Sequence, residues 1–483
     1  MSYDTHCCIV GGGPAGMILA LLLGRAGVQT TIFEEHEDFE RDFRGDTVHP
    51  STMELMDTLG LAERLLQIPH AEIHRLAFDT PDGPITMADL SAVPTKFPFI
   101  TMMPQARFLD FLAEELRKLP TVRLLMGAAV QGLLWEDPWG LSGVADRAPD
   151  RPAQPAAAAT AGPPAASANG SAGPAASSPA AAPANGTGPH PPTPSTVPAS
   201  GRGGAGARPA RRPDAPGHGP LPDDAIVRGV QYRTKTGRFD VRAPLTIAAD
   251  GRFSRVRRLA GFELVSSAPP MDILWFRLPR HPSDPEDARG KLAKGHMMVV
   301  LNRGDEWQIA YVIPKGGYKE IHDAGLPAFR QSIVELAPEF ADRVDALQDW
   351  HQTALLSVES GRIPRWYRPG LLLIGDAAHV MSPVGGVGIN YAIQDAVVAA
   401  NVLTKPLREG RLHLKDLAAV QRRRELPVRI IQGFQRMIQN KVIRQALDTD
   451  GAIQLPPPMR IPLVRRQAAK MLALGVWPVH LKT

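Results

Sequence analysis

The chain has 483 residues, 44% of them hydrophobic and 21% charged, enough for two or three globular domains. Its formal net charge of +5 does not mark a nucleic-acid binder, because residues 147–220 alone hold six arginines against two aspartates and leave the rest close to neutral. The longest apolar run, Met17 to Leu23, is too short to cross a bilayer, and the opening "MSYDTHCC" has no basic signal-peptide region. Cys7 and Cys8 have neither CxxC nor metal-site spacing, and the histidines are scattered. These features point to a cytoplasmic protein with inert thiols and no metal.

Thr5 to Val10 reads as a short apolar strand. Gly11, Gly13 and Gly16 follow as G-x-G-x-x-G, with Pro14 and Ala15 opening an apolar helix that ends near Gly24 to Gly27. A second strand, Thr30 to Phe33, runs into Glu34. Strand, glycine turn, helix, strand and acid in this order form a dinucleotide fingerprint. The glycines let the backbone approach a pyrophosphate at the helix N-terminus, and Glu34 would accept hydrogen bonds from a ribose. Glu35 competes for that role, with Glu34 favoured because it directly follows the strand. The motif alone does not separate NAD from FAD. Next, "STME" (Ser51 to Glu54) reads as a capping box before an apolar helix.

"QARFLDFLAEELRKL", from Gln105, is an amphipathic helix, and "AAVQGLLWED" a strand. Residues 147–220 are almost pure Ala, Pro, Gly and Ser. Such a segment cannot offset its chain entropy and reads as a disordered insertion in a loop between two strands. Strands resume in "AIVRGVQYRTKTGRFDVRAPLTIAADG", with "TKTG" as a turn. "ILWFRLPR", "HMMVVLNR" and "EWQIAYVIPKGG" alternate as sheet strands. Leu371 to Ile374 is a further buried strand, followed by Asp376, the turn "AAHVMSPVGGVGIN" and a helix. An acid at a strand end suits a ribose or ribityl hydroxyl, and the helix after Gly388 aims N–H groups at whatever precedes it. One ligand with two ends, FAD, needs both devices. The tail from Met459 to Leu481 reads as a helix packed on the body, with a membrane-surface helix as the alternative.

"GGGPAG", "ADG" (Ala249 to Gly251) and "GDAAHVMSPVGGVGIN", in this order, resemble the FAD-dependent aromatic hydroxylases, the para-hydroxybenzoate hydroxylase-like group of single-component flavoprotein monooxygenases. The resemblance covers nearly all the chain outside the insertion. It implies an α/β fold: a Rossmann-like FAD-binding domain (1–70, 103–146, 221–263 and 356–404) with an inserted mixed β-sheet substrate domain (71–102 and 264–355) and a C-terminal helical region (405–483). By position, Gly11, Gly13, Pro14, Ala15, Gly16 and Glu34 match the dinucleotide fingerprint, and Arg44 an arginine that contacts FAD and accommodates NADPH. Gln105 and Arg107 match the start of a helix that meets the flavin cofactor. Asp250 and Gly251 match the motif that positions FAD and NAD(P)H pyrophosphates, and Asp376 the ribityl-binding acid. Pro383, Gly386, Gly388, Ile389 and Asn390 match the turn beside the isoalloxazine. His379 is a candidate substrate-side or proton-relay residue, weighed against a structural role. In such proteins the sheet roofs the flavin, which makes Trp275, Met297 and Tyr311 candidate substrate residues, although large apolar side chains on strands are more often core.

The implied reaction is hydroxylation of an aromatic, polyketide-like or quinoid substrate with non-covalent FAD, NAD(P)H and O2, through a flavin C4a-hydroperoxide. Three alternatives stand beside it. A flavin-dependent halogenase usually carries W-x-W-x-I-P, where this chain has Ile309 and Tyr311 in place of the tryptophans and keeps only Ile313 and Pro314. A reductase of isoprenoid or quinone double bonds would need no oxygen. A flavin-binding sensor or scaffold would not need NAD(P)H access.

Overall fold

The computed structural model describes residues 3–40, 46–80, 83–147, 217–286, 288–293, 295–448 and 461–482. Four short apolar strands, β1 (Cys7–Val10), β2 (Thr30–Phe33), β3 (Val122–Leu125) and β4 (Leu245–Ala248), join β8 (Leu371–Leu373) in one parallel sheet. Its order is Tyr367–Arg368, β8, β4, β1, β2, β3, with only the two-residue edge strand antiparallel. Cys7 pairs with Leu245 on one side and Thr30 on the other. All residues of β1, β2, β4 and β8 are buried, which explains why they read as continuous apolar runs rather than alternating ones. The two thiols are fully buried in β1.

Helix α1 (Pro14–Arg25) is buried from Ala15 to Gly24. It lies between the sheet and two further helices, α3 (Gln105–Arg117) and α6 (Gly388–Arg408). Helix α2 (Pro50–Thr58) corrects the capping-box reading. Its N-cap is His49, which makes no side-chain cap bond. The Ser51 hydroxyl instead donates to Asn390 Oδ1, and Glu54 accepts from Thr95 at 2.7 Å.

A five-stranded sheet runs Gly217–Gly219, Ser142–Ala145, Ala129–Glu136, Ile226–Thr234, Gly237–Arg242. Thr234 pairs with Gly237, the expected turn. Residues 217–219, assigned from sequence to the end of the disordered segment, form a strand parallel to Ser142–Ala145. The segment 148–216 lies outside the described residues.

A seven-stranded mixed sheet is ordered Ala354–Leu356, β5 (Met271–Pro279), β7 (Glu306–Pro314), β6 (His296–Asn302), Arg289–Ala293, Arg75–Thr80, Gly83–Asp89. All its pairs are antiparallel except Arg289–Ala293 with Arg75–Thr80. One face packs Leu274, Phe276, Met298, Val300, Ile309 and Tyr311 against Phe329 and Ile333 of α5 (Leu326–Leu336). The chain closes with α7 (Leu414–Ile438), a π-helical turn Gln439–Ile443, and α8 (Pro462–Leu474). Ala469, Ala473 and Leu474 of α8 are buried against Ile73, Ala88 and Leu90, as expected for a packed helix. No described helix is long and apolar enough to cross a membrane.

Candidate functional site

The parallel strands end at a common edge. Gly11 follows β1, Glu34 follows β2, Asp250 lies two residues past β4 and Asp376 three past β8. A cavity of about 970 Å³ opens there and continues to the free face of the seven-stranded sheet. Ligands of open α/β sheets bind at such carboxyl ends.

The glycine loop fits a pyrophosphate. Gly11 (φ +106) approaches the chain after β4 so closely that a Cβ would fall 2.5 Å from the Ala249 carbonyl oxygen. A Cβ on Gly13 would meet nothing within 4 Å, so the space above the first turn of α1 is open. No side chain caps the N-terminus of α1, leaving its first N–H groups for an anionic ligand. Gly11, Gly13, Pro14 and Ala15 line the cavity, whereas Gly16 is buried within α1, where a Cβ would fall 2.0 Å from the Gly11 carbonyl oxygen.

Glu34 and Glu35 both line the cavity, but differ in setting. The Glu34 side chain is 13% exposed and that of Glu35 60%. Glu34 Oε2 accepts from the Gly12 amide at 2.9 Å, and Oε1 from the His36 amide at 3.1 Å and its Nδ1 at 2.7 Å. The fixed geometry favours Glu34 as the ribose acceptor. Asp250 takes a hydrogen bond from the Ser254 hydroxyl at 2.6 Å and one from the Val256 amide at 3.1 Å. Burial raises its pKa against those bonds. Asp250, Gly251 and Asp376 are on the cavity wall. Arg257, on the short helix α4 (Arg255–Leu259), donates from Nη1 to the carbonyls of Asp376 (3.2 Å) and Ala377 (3.0 Å).

At the other end, Pro383, Gly386, Gly388 and Ile389 line the cavity. Gly386 (φ +64) lies so near Thr47 that a Cβ would be 3.0 Å from its hydroxyl. That hydroxyl donates to the Gly386 carbonyl at 3.1 Å. No side chain caps α6, and its first turn carries no acid. Its positive end therefore suits an anionic ring edge.

Several assignments need correction. Asn390 is buried away from the cavity, its amide oxygen taken by Ser51. Arg107 is exposed on α3, two residues past the cavity-lining Gln105. His379 is not on the wall either. It is 1% exposed, its Nε2 lies 2.6 Å from Asp395, and its ring packs at a tilt of 39° against Trp366. Arg44 lies outside the described residues. Trp275 and Met297 line the cavity, but Tyr311 lies on the opposite face of β7, bonded to His296 Nδ1 (2.7 Å) and Ser332 (3.1 Å). Alternation along β7 turns Gln308, Ala310 and Val312 to the cavity and Ile309 and Tyr311 away.

Other residues were not singled out from sequence. Asp46 is buried at the seam between sheet and cofactor end. Its Oδ1 accepts from the Gln105 amide at 3.2 Å, and its Oδ2 is 3.3 Å from Arg303 Nε. Burial raises its pKa, with Arg303 and the Gln105 amide opposing. Arg303 also donates to Gln308 at 2.8 Å. On α7 and the π turn, Gln432, Gln435 and Gln439 donate to the carbonyls of Val380 (3.0 Å) and Ser382 (2.8 Å) and to the Ser382 hydroxyl (2.6 Å). They fix the turn that carries Pro383. Their spacing of three and four was visible in the sequence as a polar stripe on one helix face. Ala468 and Leu472 of α8 also reach the cavity.

The open cradle over α1, the strand-end acids and the uncapped helix at the far end, all on one continuous cavity, fit FAD. Known proteins agree. The FAD binding domain family model matches residues 4–148 and 218–432. The chain is similar to 6-methylpretetramide 4-monooxygenase of Streptomyces rimosus, 28% identical over 426 residues, covering 87% of this chain and 80% of that one. Among solved structures, it shares the fold of PqsL, a probable FAD-dependent monooxygenase from Pseudomonas aeruginosa (TM-score 0.63, 17% identity, 90% of this chain and 96% of that one). It also shares the fold of OxyS anhydrotetracycline hydroxylase from Streptomyces rimosus (TM-score 0.61, 18% identity, 98% and 77%). The chain belongs to the FAD binding domain family, among the FAD-dependent aromatic hydroxylases that its three motifs resemble.

Proposed function

We propose that this FAD-dependent monooxygenase hydroxylates a neutral, multi-ring aromatic or quinoid molecule of polyketide type, using NAD(P)H and O2. The observation that carries the substrate class is the sheet wall. Met271, Ile273, Trp275, Met297, Val299 and Val312 face the cavity, and Gln308 is the wall's one polar amide. The charged lining residues, such as Glu34, Asp250, Arg252 and Asp376, belong to loops and turns outside that wall. Among the described residues of that wall a carboxylate-bearing phenol would meet no cation, and burying an unpaired carboxylate is costly. The relative that acts on a pretetramide supports a polycyclic substrate.

In this reading the glycine loop and the α1 N-terminus hold the pyrophosphate, Glu34 the ribose, and Asp376 the ribityl chain. The turn Pro383–Ile389 and the α6 N-terminus face the isoalloxazine. Bound there, FAD supplies reduction by NAD(P)H, activation of O2 and transfer of one oxygen atom. The protein's own part is placement and dryness. The apolar wall excludes water from the oxygen-transfer step, and Gln308 is held in that wall by Arg303 and Asp46. The test is product analysis with NADPH and air, comparing neutral multi-ring phenols with hydroxybenzoates. Hydroxylated product from the former alone is expected, and equal turnover of hydroxybenzoates would overturn the substrate class.

A further inference from the structure

The match to the FAD binding domain family ends at residue 432, but the cavity wall does not. Phe434 and Ile438 of α7, Val442 and Ile443 of the π turn, and Ala468 and Leu472 of α8 all line it. The π turn presents the adjacent Val442 and Ile443 to the same cavity, and such turns concentrate at functional sites. Ala468 and Leu472 are four apart, so one stripe of α8 faces the cavity, while Ala469 and Ala473 face the core behind it.

This wall is anchored to the cofactor end. Leu472 packs on the turn beside Gly386: a Cβ on Gly385 would meet Leu472 Cδ1 at 2.8 Å. His49 Nδ1 lies 2.9 Å from the Leu472 carbonyl, Gln394 donates to the Leu474 carbonyl at 3.1 Å, and the Val476 amide donates to the Tyr391 hydroxyl at 3.2 Å. His49 belongs to the N-cap of α2 and the other two to α6. The wall is therefore held in place by the elements that shape the flavin turn, and its side chains, not its mobility, set the room left for a ring system.

We propose that this C-terminal segment decides which ring systems the enzyme accepts, with Ala468 and Leu472 as specificity-determining residues. Leu472 bounds the cavity beside the flavin turn. Ala468, one helical turn further along, keeps open the space into which a third or fourth ring extends. The proposal rests on reading the cavity as an aromatic-substrate site.

The test is ligand binding to the holoenzyme, read from the perturbed visible spectrum of bound flavin, for 1-naphthol, alizarin and anhydrotetracycline. Ala468→Phe should weaken alizarin and anhydrotetracycline by thirtyfold or more and leave 1-naphthol within threefold, a span that pocket-shape changes reach. Leu472→Ala should weaken 1-naphthol most, because the smallest ligand loses its nearest wall. Ala468→Phe should keep full flavin content, since Ala468 lies one helical turn from the contact that Leu472 makes with the flavin turn. If Ala468→Phe does not fold, Leu472→Ala carries the test alone. A variant that shifts all three ligands equally, or none, overturns the assignment while leaving the aromatic reading intact. A parent enzyme that binds none of the three overturns that reading, and the assignment with it.

Discussion

Asp376 sits on a turn held from both ends. The Gly375 amide before it donates to Asp395 Oδ2 at 2.9 Å, and Arg257 grips the carbonyls of Asp376 and Ala377 after it. Asp395 is fully buried and also takes His379 Nε2 (2.6 Å) and Arg424 Nε (2.7 Å). Burial works against the Asp395 charge, but His379 and Arg424 outweigh it and hold the carboxyl below its usual range. Buried ion pairs are poor sources of net stability, so position is the better explanation for this one. Asp376→Ala should strip or loosen FAD with the fold intact, measured as flavin per protein; full flavin content would sink the ribityl assignment. Asp395→Asn leaves Arg424 buried without its counter-charge and should cost roughly 3 kcal/mol or more, seen in urea titration, together with weaker FAD binding. The glycine loop and Asp376 were legible because their spacing is local. A structural role for His379 was also legible, but its partners were not, because Asp395 and Arg424 lie 16 and 45 residues away in sequence and only the α6–α7 packing brings them to it.

At the scale of elements, β5, β6 and β7 were recognisable as strands, but their facing was not. Both faces are apolar, one meeting α5 and the other the cavity, so period-two alternation did not separate Trp275 from Tyr311. Cross-strand register does: Tyr311 pairs with Leu274 and Met298, both on the α5 side, while Met297 pairs with Val312 on the cavity side. The docking of α8 is likewise non-local, joined to α2 through His49. That imidazole is fully buried, and burial holds its pKa down to about 4 against the carbonyls of Leu472 and Gly386. Because the folded value lies below the ordinary 6.5, neutral His49 favours the folded state. Its contribution is complete above about pH 6.5 and is lost as pH falls toward 4, a span worth on the order of 3 kcal/mol. His49→Gln should flatten the acid limb of a stability–pH profile in that window. An unchanged acid limb would remove His49 from the account.

For the molecule as a whole, the fold class followed from three motifs read in order, because each sits where a parallel strand ends. The contribution of the chain beyond residue 432 did not, since a helix that walls a cavity has the same periodicity as one that packs on a core. Replacing residues 148–216 by a flexible Gly/Ser linker of about 15 residues, long enough to cross back from the end of Ser142–Ala145 to the start of the parallel strand Gly217–Gly219, should leave flavin content and thermal midpoint unchanged. Loss of folded protein would make the insertion structural. The most direct test of the whole account is isotopic. The holoenzyme is given NADPH, ¹⁸O₂ and a neutral multi-ring phenol such as 1-naphthol, and the product is weighed by mass spectrometry. The account predicts one ¹⁸O atom per product and NADPH consumption that stops without oxygen. An unlabelled product, or anaerobic NADPH oxidation sustained by a quinone or alkene acceptor, would contradict it and make the protein a reductase.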